Sequence, residues 1–413
     1  MARLAYLPRH AARAVADALA DTRVVLVNGA RQVGKSTLVR AVAGERAAEW
    51  RDLDRAQDRQ SALADPTGFV AFDELMVIDE IQRVPDLLLA IKVAVDSDPR
   101  AGRYLLTGSS RLLGMRDLPD TLPGRIEIIE LWPFSQGEID GSPDGFIDAV
   151  FGNGPDIRHE SALTRADYAE RLVRGGLPEA VAREDPRRRG RFHDSYVHLI
   201  DREVRQVAQI ERVTELTALT RLLATRSGSI VAAGSLESEL RITRPTIARY
   251  LRLLEEVFLI KRLPGWSRNL GTRVTGAPKI AFVDSGIATR LLALDAHALR
   301  RPAAPFGPLL EGFVISELAR QATWSQELVD LYHYRDQNKV EVDVILENRG
   351  QQVVGVEVKA ASTVRSDDFA GLGRLAERLG DDFLAGIVLY TGSATLPFGS
   401  KMRAVPVSAL WQL

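Results

Sequence analysis

The segment Gly29-Ala30-Arg31-Gln32-Val33-Gly34-Lys35-Ser36 constrains the fold of this chain more than any other feature. It matches the pattern G-x-x-x-x-G-K-[ST] and lies between the apolar run at residues 24–27 and a helical pattern that continues through Thr37. The glycines let backbone N–H groups turn inward, and the helix that follows adds roughly half a positive charge at its N-terminal end. The segment therefore predicts a strand, a loop that cradles phosphate groups and a helix, in that order.

The surrounding residues predict a parallel sheet. Apolar runs at residues 24–27, 50–54, 75–78, 104–106 and 126–131 alternate with helical patterns. Each run is nearly continuous, as is typical of strands that are covered on both faces, and strands that alternate with helices favour a parallel α/β layer.

Charged and polar side chains near this loop have predicted roles in phosphate chemistry. We expect Lys35 to reach the outer phosphates and the hydroxyl of Ser36 to bind Mg²⁺. The strand at residues 75–78 leads into Asp79 and Glu80. Asp79 is expected to hold the water molecules that surround the metal ion, and Glu80 is expected to activate the water that attacks the phosphate. The phosphate-contacting set comprises residues 29–37, Asp79 and Thr107.

Two further roles have more than one candidate. Thr107 or Ser109, at the end of a third strand, could sense the terminal phosphate, although capping of a helix by Ser109 or Ser110 is an alternative. Transition-state charge calls for an arginine supplied in cis or by a neighbouring subunit, and we favour Arg125. The rival arginines are Arg111 and Arg116.

Composition excludes several chemistries. The 413 residues contain no cysteine, which rules out disulfides, thiol nucleophiles and cysteine-ligated clusters. No apolar run approaches the ~18 residues of a membrane span, and the first residues lack a signal-peptide pattern, so a cytoplasmic protein is expected. Lysine is rare beside arginine, so each lysine weakly indicates a site that needs a compact ammonium.

The middle of the chain is cationic. Residues 165–275 carry an excess of basic residues, although the whole chain has a formal net charge of −1. Residues 236–256 are typical of a helix–turn–helix, and the apolar stretch at 258–266 could form a wing. Either Arg244, Arg249 and Arg252 contact DNA, or the module packs between domains with a solvated basic face.

Near the C-terminus, two acidic residues and a lysine are separated by a spacing that is typical of a metal-dependent site. Glu357 and Lys359 leave the same face of one predicted strand, and Asp343 lies on the strand before it. Carboxylates held together in this way bind Mg²⁺ or Mn²⁺, and the lysine can stabilise charge on a phosphodiester. The arrangement resembles the PD-(D/E)XK nuclease fold, although Val342 precedes Asp343. That resemblance implies a further acid from the preceding helix, for which Glu317 is favoured and Glu311 is the rival.

Taken together, the motifs resemble those of prokaryotic AAA-type ATPases that carry a DUF4143 C-terminal region. The resemblance rests on the phosphate loop, on the segments 79–85, 106–109 and 124–125, on Gly175-Gly176-Leu177-Pro178-Glu179 and on the C-terminal residues. It covers nearly the whole chain and implies binding of ATP with Mg²⁺ and hydrolysis of ATP.

We therefore expect an α/β multidomain protein. Its parts are a P-loop AAA-type domain at residues 1–135, a linker at 136–164, a helical and winged-helix region at 165–275, and a restriction-endonuclease-like α/β domain at 276–413. Nucleotide state would control a DNA-linked nuclease-like domain, in a homo-oligomer if Arg125 acts between subunits. The alternative is a regulatory or scaffolding switch whose nuclease-like domain is inactive.

Overall fold

The structure is a computed structural model that describes residues 6–44, 46–109, 122–208, 213–268 and 276–413. The chain divides into two compact units. The first comprises residues up to Pro133 together with Glu256–Phe258, and the second comprises Phe134–Glu255 and Leu259–Leu413. The finer four-part division stays a prediction.

The first unit is built on a five-stranded parallel sheet in the order β2-β3-β4-β1-β5. Its strands are β1 Val24–Asn28, β2 Ala48–Asp52, β3 Leu75–Asp79, β4 Tyr104–Gly108 and β5 Ile126–Glu130. Its helices are α1 Ala11–Asp21, α2 Lys35–Ala43, α3 Ala56–Ala64, α4 Pro66–Phe69 and α5 Leu87–Ser97, with a 3₁₀ turn at Ile81–Arg83. The predicted parallel α/β sheet is confirmed.

The central strands of this sheet are buried and the edge strands are not. β1 and β4 are buried along their whole length, and alternate side chains of both strands pack in one cluster with Leu87, Ile91 and Val95 of α5. The prediction that every strand is covered on both faces is wrong for β2 and β5, where Trp50 and Ile128 are exposed. These two strands form the edges of the sheet, where neighbouring layers cover less of the surface.

The second unit begins with helices. They are α6 Gln136–Asp140, α7 Phe146–Asn153, α8 Arg165–Arg174, α9 Pro178–Val181, α10 Pro186–Ala208, α11 Val213–Thr225, α12 Ala233–Leu240 and α13 Arg244–Glu256, with a 3₁₀ turn at Gly154–Asp156. Strand β6 Ile260–Leu263 then pairs antiparallel with β7 Lys279–Phe282. The predicted helix–turn–helix corresponds to α12 and α13, and Ile247, Leu251 and Leu254 of α13 are buried. Its assignment as a winged helix stays a prediction.

The C-terminal part of this unit is a mixed sheet in the order β12-β13-β11-β10-β9-β8. The strands are β8 Val329–Arg335, β9 Glu341–Asn348, β10 Val353–Lys359, β11 Phe383–Tyr390, β12 Leu396–Pro397 and β13 Met402–Pro406. The helices are α14 Ser285–Leu291, α15 Ala296–Leu299, α16 Phe306–Gln321, α17 Ala370–Leu379 and α18 Ala409–Gln412, with 3₁₀ turns at Ser366–Phe369 and Gly380–Asp382.

Two helices position the side chains of this sheet. Leu372, Leu375 and Leu379 of α17 pack in one cluster with Val342 and Val353 of the sheet. Helix α16 is buried from Gly312 to Gln321 on every side, so it runs through the interior of the unit. Within the described ranges, no helix combines the length and hydropathy required to cross a membrane.

Candidate nucleotide site and C-terminal carboxylate cluster

The predicted phosphate-contacting residues of the first unit lie at the carboxyl ends of the central strands of the sheet. Strands β1, β3 and β4 are parallel neighbours, and they end at Asn28, Asp79 and Gly108. Ligands of open parallel sheets bind outside the carboxyl ends of the strands. The sequence places the phosphate loop, Asp79-Glu80 and Thr107-Gly108-Ser109 at these three ends.

The loop at residues 29–34 has a conformation that depends on its glycines. Gly34 adopts a left-handed φ of 94° immediately before α2. A Cβ added at Gly29 would lie 2.2 Å from the carbonyl oxygen of Leu131, so the backbone there has no room for a side chain. Buried Arg9 fixes the neighbouring backbone by donating to the carbonyl oxygens of Val33 at 2.9 Å and Trp132 at 2.5 Å.

The other predicted loop residues differ in exposure. Ala30 and Val33 are buried, whereas Gln32 and Thr37 are exposed and Arg31 is half-buried. Gln32 has a left-handed φ of 60°, so a strained residue lies at the most exposed point of the loop.

Lys35 is the first residue of α2 and is buried. Its ammonium donates to the carbonyl oxygens of Gly29 at 3.0 Å and Ala30 at 2.8 Å, and so lies inside the curve of the loop. Burial lowers the pKa of Lys35 to about 8, and the nearby charges of Glu80 and Asp79 only partly oppose this shift. The loop therefore holds a cation whose nearest oxygens are neutral carbonyls, an arrangement that favours an anionic ligand.

Ser36, Asp79 and Thr107 form a cluster of oxygen atoms beside the loop. The Ser36 hydroxyl donates to Oδ1 of Asp79 at 3.0 Å, and the Thr107 hydroxyl donates to the same oxygen. Hydroxyl and carboxylate oxygens are the donor set that Mg²⁺ prefers. The residues predicted to hold Mg²⁺ are thus in contact with one another and are chemically suited to it.

Glu80 is held by a second network of hydrogen bonds. Its backbone has a left-handed φ of 60°, and its N–H donates to the hydroxyl of Thr107 at 3.0 Å. The side-chain amide of Gln82 donates to the Glu80 carboxylate and, at 2.9 Å, to the hydroxyl of Ser109. Gln82 thereby connects β3 to β4 and fixes the orientation of the Glu80 carboxylate.

Sequence reasoning missed three residues of this site: Arg9, Asn28 and Gln82. The signal for Gln82 was its place three residues after Asp79. Arg9 had no signal, because the carbonyl oxygens of Val33 and Trp132 that it contacts leave no pattern in a sequence. Asn28 is fully buried, and neither atom of its side-chain amide has a partner in the described part of the chain. An unpaired buried amide is costly, and here it lies at the strand end next to the loop.

Arg125, the favoured arginine, is not brought to the loop within the described part of this chain. Arg125 donates to Asp96 at 2.5 Å and to the carbonyl oxygen of Pro123 at 3.1 Å, and among the described residues it makes no hydrogen bond to the segment 29–36. Arg111 and Arg116 lie outside the described residues.

In the second unit, the predicted acidic residues and lysine lie on adjacent strands. β9 and β10 are antiparallel with Val344 opposite Val356, which brings Asp343 towards Glu357. The ammonium of Lys359 donates to the Glu357 carboxylate at 3.0 Å and lies 3.7 Å from Asp368. The expectation that Asp343 and Glu357 lie on neighbouring strands is confirmed.

An unpredicted lysine contacts this group. Lys279, the first residue of β7, donates to Oδ1 of Asp343 at 2.7 Å and to the carboxylate of Glu311 in α16. The sequence held one indication of its role, because lysine is rare in this chain beside arginine. Burial, with the charge of Asp343 second, raises the pKa of Glu311 to about 8 and that of Glu357 to about 7.

Glu317, the favoured helical acid, lies elsewhere. Its fully buried carboxylate accepts from the backbone N–H of Gln136 at 3.1 Å and from Arg320. Burial raises the pKa of Glu317 to about 7. Glu311, the rival, is the acid that contacts the Asp343 group, because residues 311 and 317 do not share a face of α16.

The nuclease resemblance implies a divalent metal among the carboxylates of the second unit. Lys279 already fills the space between Asp343 and Glu311, so these residues do not fit the metal that the nuclease resemblance implies. Consistently, no group of three or more histidine and acidic residues in the described ranges is arranged to hold a metal ion.

The arginines of α13 are solvent-exposed. Arg244 donates to Glu237 at 2.6 Å, and the guanidinium of Arg249 lies 5.5 Å from the ring centre of Tyr250. Arg252 is exposed and has no ion-pair partner among the described residues. They lie along one helix, and their contact with DNA stays a prediction.

Three family models match the chain. An AAA domain matches residues 21–140, a domain of unknown function (DUF8612) matches 165–298, and a domain of unknown function (DUF4143) matches 306–410. Uncharacterized proteins of Mycobacterium bovis and Mycobacterium tuberculosis are each 30% identical over 410 residues, which cover 97% of this chain and 84% of the relative.

Solved structures are also similar to parts of the chain. The Walker-type ATPase of Pyrococcus abyssi is 18% identical, with a TM-score of 0.45, over 70% of this chain and 97% of its own. The RuvB Holliday junction branch migration motor of Thermotoga maritima is 18% identical, with a TM-score of 0.28, over 62% of this chain and 86% of its own.

Proposed function

Because this chain belongs to the family of AAA-type P-loop ATPases that carry a C-terminal DUF4143 region, we propose that it binds ATP together with Mg²⁺ at the residue 29–36 loop and hydrolyses it. The observation that carries the proposal is the contact between Ser36 and Asp79, 3.0 Å apart, beside a buried Lys35. It joins the two halves of an ATPase site across 43 residues of sequence.

In this proposal each group of the loop has a separate task. Backbone N–H groups of residues 29–37 surround the phosphates at the N-terminal end of α2, where the helix dipole favours negative charge. Lys35 exchanges the carbonyl oxygens of Gly29 and Ala30 for phosphate oxygens. Ser36 and Asp79 would hold Mg²⁺, which would supply positive charge to the outer phosphates.

Glu80 acts as the general base. It accepts a proton from the water that attacks the terminal phosphate, and Gln82 keeps its carboxylate in place. Thr107 donates to Asp79 and accepts from the Glu80 N–H, so a change at the terminal phosphate reaches both acidic residues through one hydroxyl. We assign the sensing role to Thr107, while Ser109 anchors Gln82.

Arg125 supplies the transition-state charge from a neighbouring subunit. Within its own chain it is paired with Asp96, so the proposal requires a homo-oligomer that brings Arg125 to the next loop. This arrangement would use a half-buried guanidinium that, among the described residues, makes no hydrogen bond to its own phosphate loop.

Nucleotide state is proposed to control the second unit. Of the two alternatives for that unit, a nuclease and a switch without cleavage, the Lys279 contacts favour the switch. The exposed side chains of Arg244, Arg249 and Arg252 support DNA as its partner.

Substitution of Glu80 tests the hydrolytic part of the proposal. Glu80→Gln keeps the size and the hydrogen-bonding capacity of the side chain but removes the base. We expect ATP affinity to stay unchanged and phosphate release to fall by about 10²–10⁴-fold.

The matched control is Glu74→Gln, because Glu74 is an exposed acidic residue just before β3. This variant should leave ATP affinity and phosphate release unchanged. Equal turnover by Glu80→Gln and wild type would refute the assignment of the base.

A further inference from the structure

The second unit contains a group of charged residues that the proposed ATPase does not use. We call it the carboxylate cluster: Glu311 of α16, Asp343 of β9 and Glu357 of β10, with Lys279 of β7 and Lys359 of β10. Their side chains come from four elements, two of which are neighbouring strands of the mixed sheet.

Asp343 lies at the centre of the cluster, and both of its oxygens are engaged. Oδ1 accepts from the Lys279 ammonium at 2.7 Å, and Oδ2 accepts from the backbone N–H of Val358 at 2.8 Å. Lys279 also donates to Glu311, so one ammonium joins the two carboxylates as a bridging cation would.

We infer that the ammonium of Lys279 takes the place of a divalent cation in the carboxylate cluster, so that the cluster is an internal ion-pair network and not a metal site. The inference concerns a site distinct from the nucleotide site, and it holds whether or not the first unit hydrolyses ATP.

Because the side chain of Lys279 is deeply buried, we expect its ammonium to stay between the carboxylates of Asp343 and Glu311. Its side chain is only 2% exposed, whereas that of Lys359 is 32% exposed. A lysine at the surface could swing into solvent when a metal arrives. Lys279 would instead be left as a buried charge without a partner, and such a charge is strongly disfavoured.

The coordination chemistry of the cluster points the same way. The Lys279 ammonium bridges Asp343 and Glu311, so a divalent ion placed between these two carboxylates would lie next to a positive charge. Mg²⁺ also needs near-ideal octahedral oxygen ligands, whereas both oxygens of Asp343 already accept hydrogen bonds.

The network has a structural consequence. Lys279 connects β7 to α16 and to β9, so the ammonium fastens the small β6–β7 sheet to the mixed sheet of the same unit. Metal-assisted cleavage of a phosphodiester needs a metal between these carboxylates, so we do not expect the unit to cleave nucleic acid.

Mn²⁺ binding to the full-length, nucleotide-free protein tests the inference. Electron paramagnetic resonance of free Mn²⁺ is compared for wild type, Asp343→Asn, Lys279→Met and the double variant. Wild type and Asp343→Asn should bind equally, and Lys279→Met should gain a Mn²⁺ site that the double variant loses. Lys401→Met, a lysine that contacts backbone carbonyls elsewhere in the unit, should resemble wild type.

Two results would overturn the inference: Mn²⁺ bound by wild type and lost in Asp343→Asn, or a folded Lys279→Met that gains no site. If circular dichroism shows that Lys279→Met does not fold, the comparison of wild type with Asp343→Asn decides alone: equal binding supports the inference, and binding lost with Asp343 refutes it.

Discussion

The titration of Lys35 gives the sharpest quantitative prediction about the nucleotide site. Burial lowers its pKa from 10.5 to about 8, a shift that corresponds to roughly 3 kcal/mol of unfavourable interaction with the charged form. ATP phosphates would supply the missing counter-charge. If only the ammonium form binds ATP, about one protein in ten is competent at pH 9, so the apparent affinity should be about tenfold weaker there than at pH 7.

Isothermal titration calorimetry with a non-hydrolysable ATP analogue measures this effect. Terminal phosphates have a pKa of about 6 and are already about nine-tenths ionised at pH 7, so ionisation of the ligand contributes little between pH 7 and 9. Titrations in two buffers of different ionisation enthalpy should show uptake of a proton on binding at about pH 9. Lys35→Arg keeps a positive charge over this range and is the matched control, with a flat pH profile.

The same shift predicts a change in stability with a defined sign. Because the pKa of Lys35 is lowered on folding, the folded protein without ligand binds fewer protons than the unfolded chain between about pH 8 and 10.5, and this group makes the free energy of unfolding rise with pH in that window. An ATP affinity that is unchanged between about pH 7 and 9, in wild type and Lys35→Arg alike, would refute the placement of a desolvated ammonium in the loop.

Two further predictions concern the second unit. Glu317→Ala removes the carboxylate that pairs with the nearly inaccessible guanidinium of Arg320, so the free energy of unfolding in urea should fall by about 3–5 kcal/mol. A fall below about 1 kcal/mol, the value typical of a surface pair, would contradict the buried geometry. Arg252→Ala should weaken DNA binding and reduce the slope of log affinity against log salt by about 0.9, measured by fluorescence anisotropy. Arg100→Ala, an exposed arginine of the first unit, is the control, and equal slopes in the two variants would contradict the assignment.

The local geometry of the nucleotide site follows closely from the sequence. A phosphate loop fixes a strand before it and a helix after it, and parallel strands align their carboxyl ends, so Ser36 and Asp79 could be expected to meet. The contacts of Arg9 with Val33 and Trp132 could not be predicted, because backbone carbonyls leave no pattern in a sequence.

The C-terminal cluster shows where a sequence pattern is insufficient. Helix α16 is buried on all sides, so its apolar pattern does not indicate which face meets the strands, and Glu311 and Glu317 could not be separated. Lys279 approaches from β7, 64 residues before Asp343, and only the tertiary fold brings these two residues together. A motif can identify the acidic residues of a site without revealing that an internal cation occupies it.

The central claim, that the residue 29–36 loop binds the phosphates of ATP, is tested most directly by calorimetry with Mg²⁺ and an ATP analogue on wild type and Lys35→Ala. The account predicts saturable binding by wild type and none by Lys35→Ala, with circular dichroism showing that both proteins are folded. Equal binding by the two proteins, or no binding by wild type, would contradict it.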